Sequence, residues 1–313
     1  MRVAVVDIGS NSTRLLIADV DPASGVIEEI LKRSEVTRLG AGLEVNGSLS
    51  EQAIARVLRT LADYRRAIES NGTKANLAVL TAAARDAANG AEFAQRVRDE
   101  FELDAHVLAG EEEAQLTFLG ATAELPREDG ASEPVPTVVI DIGGGSTEFI
   151  VGRGRRAGFH VSLPVGVVRM SERHVRSDPP DAAELDGLEG DVRTILLQGL
   201  PAAEHAPVQH GIAVAGTATS AAAIDQRLDP YDPARVHGYI LSLDAVGRLR
   251  NRTAAMSEAE RRSVTGLHPD RAPTIVAGLI ILGEALRAFE LQEVEVSEHD
   301  ILFGGALRLA GLA

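Results

Sequence analysis

The sequence predicts an α/β protein of two lobes, and three observations carry that prediction. Short β-branched runs alternate with helical segments along the whole chain, the pattern of α/β folds. The opening phrase Val5-Val6-Asp7-Ile8-Gly9-Ser10-Asn11-Ser12-Thr13-Arg14 returns in register as Val139-Ile140-Asp141-Ile142-Gly143-Gly144-Gly145-Ser146-Thr147-Glu148. Between the two copies, residues 126–136 (P-R-E-D-G-A-S-E-P-V-P) are polar, proline-bounded and without period, which marks a connection. The lobes are expected at 1–125 and 137–299, with a closing helix at 300–313 packing back on the first. A duplicated strand–turn–strand unit further predicts that the two turns face each other across a central cleft.

The first lobe opens as a meander. Segments 3–7, 14–20 and 26–33 read as strands, with Asp-Pro and Ser-Gly turn chemistry before the third. In the turn after Asp7, Gly9 permits close backbone approach, while Ser10, Asn11, Ser12 and Thr13 offer donors to an anion. Arg14 adds a fixed positive charge that the second copy lacks. Arg38 follows in the glycine-rich loop T-R-L-G-A-G-L. Ser50 caps a helix to about Glu69, ended by Asn71-Gly72, and 76–80 makes a strand. That strand runs into Thr81-Ala82-Ala83-Ala84-Arg85. Small residues there let a ligand reach a helix N-terminus, and Arg85 presents a planar guanidinium to a phosphoryl group; a surface ion pair with Asp86 is the competing reading. A helix at 91–100 and a strand at 105–108 lead to Gly110-Glu111-Glu112-Glu113. Acids in a first helical turn favour the dipole, which accounts for Glu111 and Glu112. Glu113 lies one turn from Leu116 and Thr117 and faces inward.

The second lobe begins with four β-branched residues before Asp141, the mark of a strand covered on both faces. Gly143, Gly144 and Gly145 allow a reversal through conformations closed to other residues, forming an anion nest to which Ser146 and Thr147 add hydroxyls. Asp141 and Glu148 are placed to hold a hard divalent cation, with Asp7 a third acid of the same kind. The basic cluster at 153–156 reads as an exposed hairpin tip. A helix runs to about Arg173, a loop spans 178–186, and a helix follows to about Leu200. The strand at 209–214 ends in the small, hydroxyl-rich turn Ala215-Gly216-Thr217-Ala218-Thr219. A helix at 272–289, a strand at 293–297 and a helix at 301–309 close the chain.

Composition narrows the class. The chain has 313 residues, no cysteine, 45% hydrophobic residues and a formal net charge of −15. Two proper cores fit this length. The acidic surface argues against nonspecific nucleic-acid binding. The strand at the very start leaves no room for a signal peptide, and the longest apolar run is too short to span a bilayer. A cytoplasmic protein without membrane attachment is expected.

The motifs resemble the exopolyphosphatase/guanosine pentaphosphate phosphatase family within the actin-like ATPase superfamily. The resemblance rests on D-I-G-S-N-S-T-R-L-L at 7–16, R-L-G-A-G-L at 38–43, T-A-A-A-R-D-A-A-N-G at 81–90, G-E-E-E-A at 110–114 and D-I-G-G-G-S-T-E at 141–148. S-L-P-V-G-V-V-R-M at 162–170, A-G-T-A-T at 215–219, H-G-Y at 237–239 and G-L-H-P-D-R-A at 266–272 extend it over nearly the whole chain. The sequence departs from the family at 297–304, reading S-E-H-D-I-L-F-G where S-D-R-G-L-R-E-G is usual.

The resemblance implies two actin-like, ribonuclease H-like lobes and hydrolysis of a terminal phosphoanhydride. It implies Glu113 as the carboxylate that activates water, Arg85 beside it, Arg38 bordering the site, and Gly216 and Thr217 contacting a nucleotide or distal phosphate. Mg²⁺ or Mn²⁺ is the implied cofactor, with K⁺ as an activating ion. Inorganic polyphosphate is the first expected substrate and guanosine pentaphosphate the second; a homodimer is compatible with the family. Outside this class stand a nucleotide-binding switch without turnover, which Glu113 argues against, and a phosphotransferase, which needs an acceptor.

Overall fold

The computed structural model describes residues 1–125, 134–201 and 208–312. The chain divides into two compact units, Met1–Ala123 with Asp300–Ala313, and Glu124–His299. Of the expected connection at 126–136, residues 126–133 lie outside the described residues.

The first unit holds a five-stranded sheet of order β3-β2-β1-β4-β5. Its strands are β1 (Arg2–Ile8), β2 (Ser12–Val20), β3 (Ile27–Val36), β4 (Ala75–Leu80) and β5 (Ala105–Val107). The first three form an antiparallel meander, and β4 and β5 continue parallel to β1. This is the ribonuclease H-like order. Its helices are α1 (Leu43–Asn46), α2 (Glu51–Ser70), α3 (Ala82–Asp86), α4 (Gly90–Phe101) and α5 (Gly110–Ala121).

Alternation in β1 decides which helix covers which face. Ala4, Val6 and Ile8 join the core built with Ile54, Val57 and Leu61 of α2 and with Phe93 and Val97 of α4. Val3 and Val5 point the other way, into a cluster with Leu119 of α5 and with Leu302, Phe303 and Leu307 of the closing helix at Ile301–Leu309. Two glycines let that helix and α5 touch backbone to backbone. A methyl on Gly304 would sit 1.9 Å from the Leu116 carbonyl oxygen, and one on Gly120 1.9 Å from that of Asp300.

The second unit holds a six-stranded sheet of order β10-β11-β9-β6-β7-β8. Its strands are β6 (Pro136–Ile142), β7 (Thr147–Arg153), β8 (Arg156–Leu163), β9 (His210–Val214), β10 (Tyr239–Ser242) and β11 (Glu293–Val296). The order repeats that of the first unit: an antiparallel meander β6–β8, parallel β9 and β11, then β10 as an added antiparallel edge. Helices α6 (Val167–His174), α7 (Ala182–Gly199), α8 (Ala215–Asp225), α9 (Pro233–Val236), α10 (Leu243–Ala254), α11 (Glu258–Arg261) and α12 (Ile275–Ala288) belong to it, and the closing helix is α13. Val138, Ile140 and Ile142 pack into one large core with Leu188 and Val192 of α7, Ala221 and Ala222 of α8, Leu249 of α10 and Ile281 of α12.

Local differences from expectation have local causes. Strand β8 was not anticipated as a strand. Helix α7 starts at Ala182 rather than after 186, because Asp181 caps it by accepting from Glu184 N–H and Glu184 reaches back to Asp181 N–H. Helix α12 starts at Ile275, preceded by a 3₁₀ turn at Pro269–Arg271. Among the described residues, no helix is long and apolar enough to cross a membrane.

Candidate active site

In the first unit, register assembles the candidate residues. Ile8 of β1 lies beside Leu80 of β4, which lies beside Val107 of β5, so three parallel strands end together. The Gly9–Ser12 turn, the Arg85 helix α3 and the N-terminus of α5 therefore emerge at one edge. Carboxyl ends of parallel strands are where open α/β sheets bind ligands. The loop carrying Arg38 is stitched to the same turn: Thr37 and Arg38 N–H donate to the Asn11 carbonyl at 3.0 and 2.8 Å, and Gly40 N–H to that of Ser10 at 2.9 Å. Arg38 itself is exposed and left-handed, φ 49°, a strained backbone for a residue with a side chain.

The acids that open α5 have separate partners. Glu112 Oε2 accepts Ala109 N–H at 3.2 Å, closing the helix end. Glu113 Oε2 accepts from Arg85 Nη1 at 2.6 Å, in a half-exposed pair. Asp86 stands farther from the Arg85 guanidinium, at 3.8 Å. The two residues singled out as catalytic are thus brought together, with one guanidinium fixing one carboxylate.

Asp7 behaves differently from a solvated metal ligand. It is 5% exposed, and its Oδ2 takes both Arg14 Nε at 2.8 Å and Nη2 at 2.7 Å. Arg14 also bonds Asp300, equally buried, whose Oδ1 caps α13 by accepting Leu302 N–H at 3.0 Å. Burial pushes the Asp7 carboxyl up, Arg14 works against this, and the Asp300 charge adds to it. Burial opposes ionisation of Asp300 too, but Arg14, Lys32 and Leu302 N–H together hold it below the usual carboxylate range. Read from the sequence, His299-Asp300 is a lone dipeptide without the histidine spacing of a metal site, and the pairing of Asp300 with Arg14 is not foreseen, although an aspartate immediately before the apolar run Ile301-Leu302-Phe303 is a helix-start signal.

The second unit repeats the turn. Gly143 N–H donates to Ser146 O at 2.9 Å, as Gly9 N–H does to Ser12 O at 3.0 Å. None of Gly9, Gly143, Gly144 or Gly145 has a left-handed φ, so the expected glycine-only reversal, and the nest built on it, gives way to close approach. A methyl on Gly143 would meet Ser146 O at 3.1 Å. The carbonyls of this turn face α6: Gly143 O and Gly144 O accept from Val167 and Val168 N–H at 3.0 and 2.9 Å, and Gly145 O from Arg169 Nε at 2.9 Å. Thr147 is fully buried and donates to Val165 O.

Asp141 of β6 and Glu148 of β7 are directly opposed in the antiparallel ladder, so two carboxylates share one face where like charges repel. At the matching position of the first unit, Asp7 faces Arg14. Ser146 and Ser162 Oγ donate to Glu148 Oε1 at 2.7 and 2.8 Å and fix it. Two acids among hydroxyls form a hard oxygen set, which fits Mg²⁺ or Mn²⁺. At the end of β9, Ala215 is left-handed at φ 63° and leads into Gly216 and the buried Thr217. The Arg271 guanidinium lies over Gly216, where a methyl would come within 1.2 Å of it.

Comparison with known proteins gives a consistent picture. A family profile described as the Ppx/GppA phosphatase family matches residues 16–307. Exopolyphosphatase 2 of Mycobacterium tuberculosis is 35% identical over 321 residues, covering 99% of this chain and 99% of that protein. A solved Ppx/GppA family member from Aquifex aeolicus superposes with a TM-score of 0.86 at 31% identity, covering 99% of this chain and 97% of that one. An exopolyphosphatase from Cytophaga hutchinsonii gives 0.85 at 26% identity, covering 100% and 99%.

Proposed function

Because the chain belongs to the Ppx/GppA phosphatase family, we propose that this phosphoanhydride hydrolase is an exopolyphosphatase that removes terminal phosphate from inorganic polyphosphate. The observation that carries the reading is the Arg85–Glu113 contact of 2.6 Å at the shared carboxyl edge of β1, β4 and β5. Glu113, held by Arg85, takes a proton from the attacking water. The water oxygen bonds the terminal phosphorus, the bridging P–O bond breaks, and the shortened chain leaves with the bridging oxygen.

Most of the rate comes from positioning and charge. Donors of the turns at Ser10, Asn11 and Ser12 and at Gly144, Gly145 and Ser146 serve phosphoryl oxygens, with Arg38, Gly216 and Thr217 as further contacts, while Gly9 and Gly143 N–H close the turns and the buried hydroxyls of Thr13 and Thr147 are held by the Thr37 hydroxyl and the Val165 carbonyl. Asp141 and Glu148 would hold Mg²⁺ or Mn²⁺, which would supply positive charge against the phosphoryl oxygens. Asp7, expected as a third metal ligand, acts instead by fixing Arg14. With a net charge of −15, attraction to a polyanion is local, which favours short chains over long ones.

Phosphate release from short polyphosphate, long polyphosphate, guanosine pentaphosphate and ATP tests the reading, with Mg²⁺ and K⁺ varied. Release from short polyphosphate without an added acceptor is expected and eliminates a phosphotransferase. A rate that climbs steadily with chain length overturns the short-chain preference. Preference for guanosine pentaphosphate moves the substrate to the family's other activity.

A further inference from the structure

Within the second unit, three side chains of metal-ligating type converge outside the residues used above. Glu124 stands at the start of the unit, His237 just before β10 and His299 just after β11. Their ligand atoms all lie within 4.8 Å of one another. His237 Nε2 is 3.1 Å from Glu124 Oε2, and His299 Nδ1 is 3.7 Å from Glu124 Oε1. The imidazole rings stack with centroids 4.0 Å apart. We propose that Glu124, His237 and His299 form a binding site for a first-row divalent cation of the Zn²⁺ class.

Placement and donor chemistry both support this. The ladder of β10 and β11 pairs Tyr239 with Val296, and Gly238 N–H donates to Val296 O at 2.8 Å, so the backbone sets the two histidines side by side. Buried Ser297 binds the following turn through its Oγ, which accepts His299 N–H at 3.0 Å. The same Oγ lies 3.4 Å from His237 Nδ1, and Glu298 N–H lies 3.2 Å from that nitrogen. A metal on Nε2 puts the ring proton on Nδ1 facing Ser297 Oγ, at the expense of the Glu298 hydrogen bond. Metal bonds of about 2.0–2.2 Å place tetrahedral ligand atoms roughly 3.3–3.6 Å apart, so separations of up to 4.8 Å close by at most about 1.5 Å, while the 3.1 Å contact of His237 with Glu124 opens slightly. The histidine rings are 20% and 17% exposed, whereas Glu124 is 67% exposed and free to turn on its side-chain bonds.

Two imidazole nitrogens and one carboxylate select Zn²⁺, Co²⁺ or Ni²⁺ over Mg²⁺, which prefers all-oxygen ligands. The ion is therefore separate from one held by Asp141 and Glu148. Its ligands also mark the two places where the chain passes between the compact units, at Ala123–Glu124 and at His299–Asp300. A bound ion ties the first and last residues of the second unit to the foot of β10.

The test uses untagged, chelator-stripped full-length protein in excess Mg²⁺, titrated with Co²⁺ and then Zn²⁺ by calorimetry and visible absorption. One Co²⁺ per chain is expected, with the absorption of mixed nitrogen–oxygen coordination and displacement by Zn²⁺. His299→Ala and Glu124→Gln should each weaken binding by at least about 10-fold. Asp141→Asn should leave it unchanged. Circular dichroism and thermal unfolding in chelator identify misfolded variants, and the exposed Glu124→Gln keeps the test valid if a histidine variant does not fold. No Co²⁺ binding in Mg²⁺, or binding unmoved by both Glu124→Gln and His299→Ala, overturns the proposal.

Discussion

Replacing Glu113 by Gln separates catalysis from stability, because the structure assigns the two very different costs. The carboxylate is 23% exposed and its partner Arg85 31% exposed, so their ion pair is worth about 0–1 kcal/mol to folding. Glutamine retains a carbonyl oxygen able to accept from Arg85, which keeps the loss at the low end. Against a typical stability of about 5–15 kcal/mol, the variant remains more than about 99% folded. Loss of a positioned general base instead removes about 10²–10⁴ in rate, or about 2.7–5.4 kcal/mol of transition-state stabilisation. Phosphate release from short polyphosphate at saturating substrate, with thermal unfolding on the same samples, measures both. The expected result is a kcat at least about 100-fold lower with a nearly unchanged melting temperature. A kcat within about threefold of the parent refutes Glu113 as the base. Loss of activity with a collapsed melting curve refutes the energetic argument.

Arg14→Met leaves Asp7 and Asp300, each 5% exposed, without their shared cation and should cost about 3–5 kcal/mol near neutral pH in urea unfolding. Without Arg14, burial and mutual repulsion raise both folded-state pKa values above the unfolded value of about 3.9, so protonation favours folding and the deficit shrinks as pH falls towards about 4. An equal deficit at both ends of that range contradicts the account. Glu184, drawn down to about 2, chiefly by the Ser177 hydroxyl, contributes stability that is present above its ordinary 4.5 and lost as pH falls through about 2. NMR titration of Glu184 and the flatter acid limb of Glu184→Gln check it. Gly304→Ala should destabilise by about 1–3 kcal/mol or more, since the new methyl meets the Leu116 carbonyl at 1.9 Å, whereas Gly190→Ala, with nothing within 4 Å, should stabilise by about 0.5–1 kcal/mol. Chemical denaturation of both variants distinguishes a specific helix contact from a general intolerance of side chains.

The α/β class and the duplicated strand–turn–strand unit were legible because the repeated acid–glycine–hydroxyl turns lie between β-branched runs, and such turns are local events; the actin-like lobes came from the family resemblance. Helix α2 was legible for the same reason: Ser50 accepts Ala53 N–H at 3.3 Å, and Asn71 and Gly72 end it. Strand β8 was readable but overlooked. Ala157, Phe159, Val161 and Leu163 alternate inward, yet the basic cluster drew the reading to its tip, where Arg153 pairs with Arg156. Missing that strand hid Ser162, which stands opposite Glu148 and binds it. The role of Asp300 was out of reach for another reason. Its partner Arg14 is 286 residues away, and no local pattern encodes so distant a pairing. The tripeptide His237-Gly238-Tyr239 likewise carries no local sign of its neighbour, because only the pairing of β10 with β11 sets His237 against His299.

The glycine crossing of α5 and α13 bears on how the molecule is made. The strands of the first unit leave the ribosome early, but the helix that seals one face of β1 is encoded far downstream. Residues Glu124–His299, by contrast, form one uninterrupted compact unit. During vectorial synthesis the later unit can consolidate while Val3, Val5 and Leu16 of the earlier one still await Leu302 and Phe303. Birth order and completion order are therefore reversed, and a nascent chain halted before Ile301 displays an uncovered apolar sheet face for chaperones to guard.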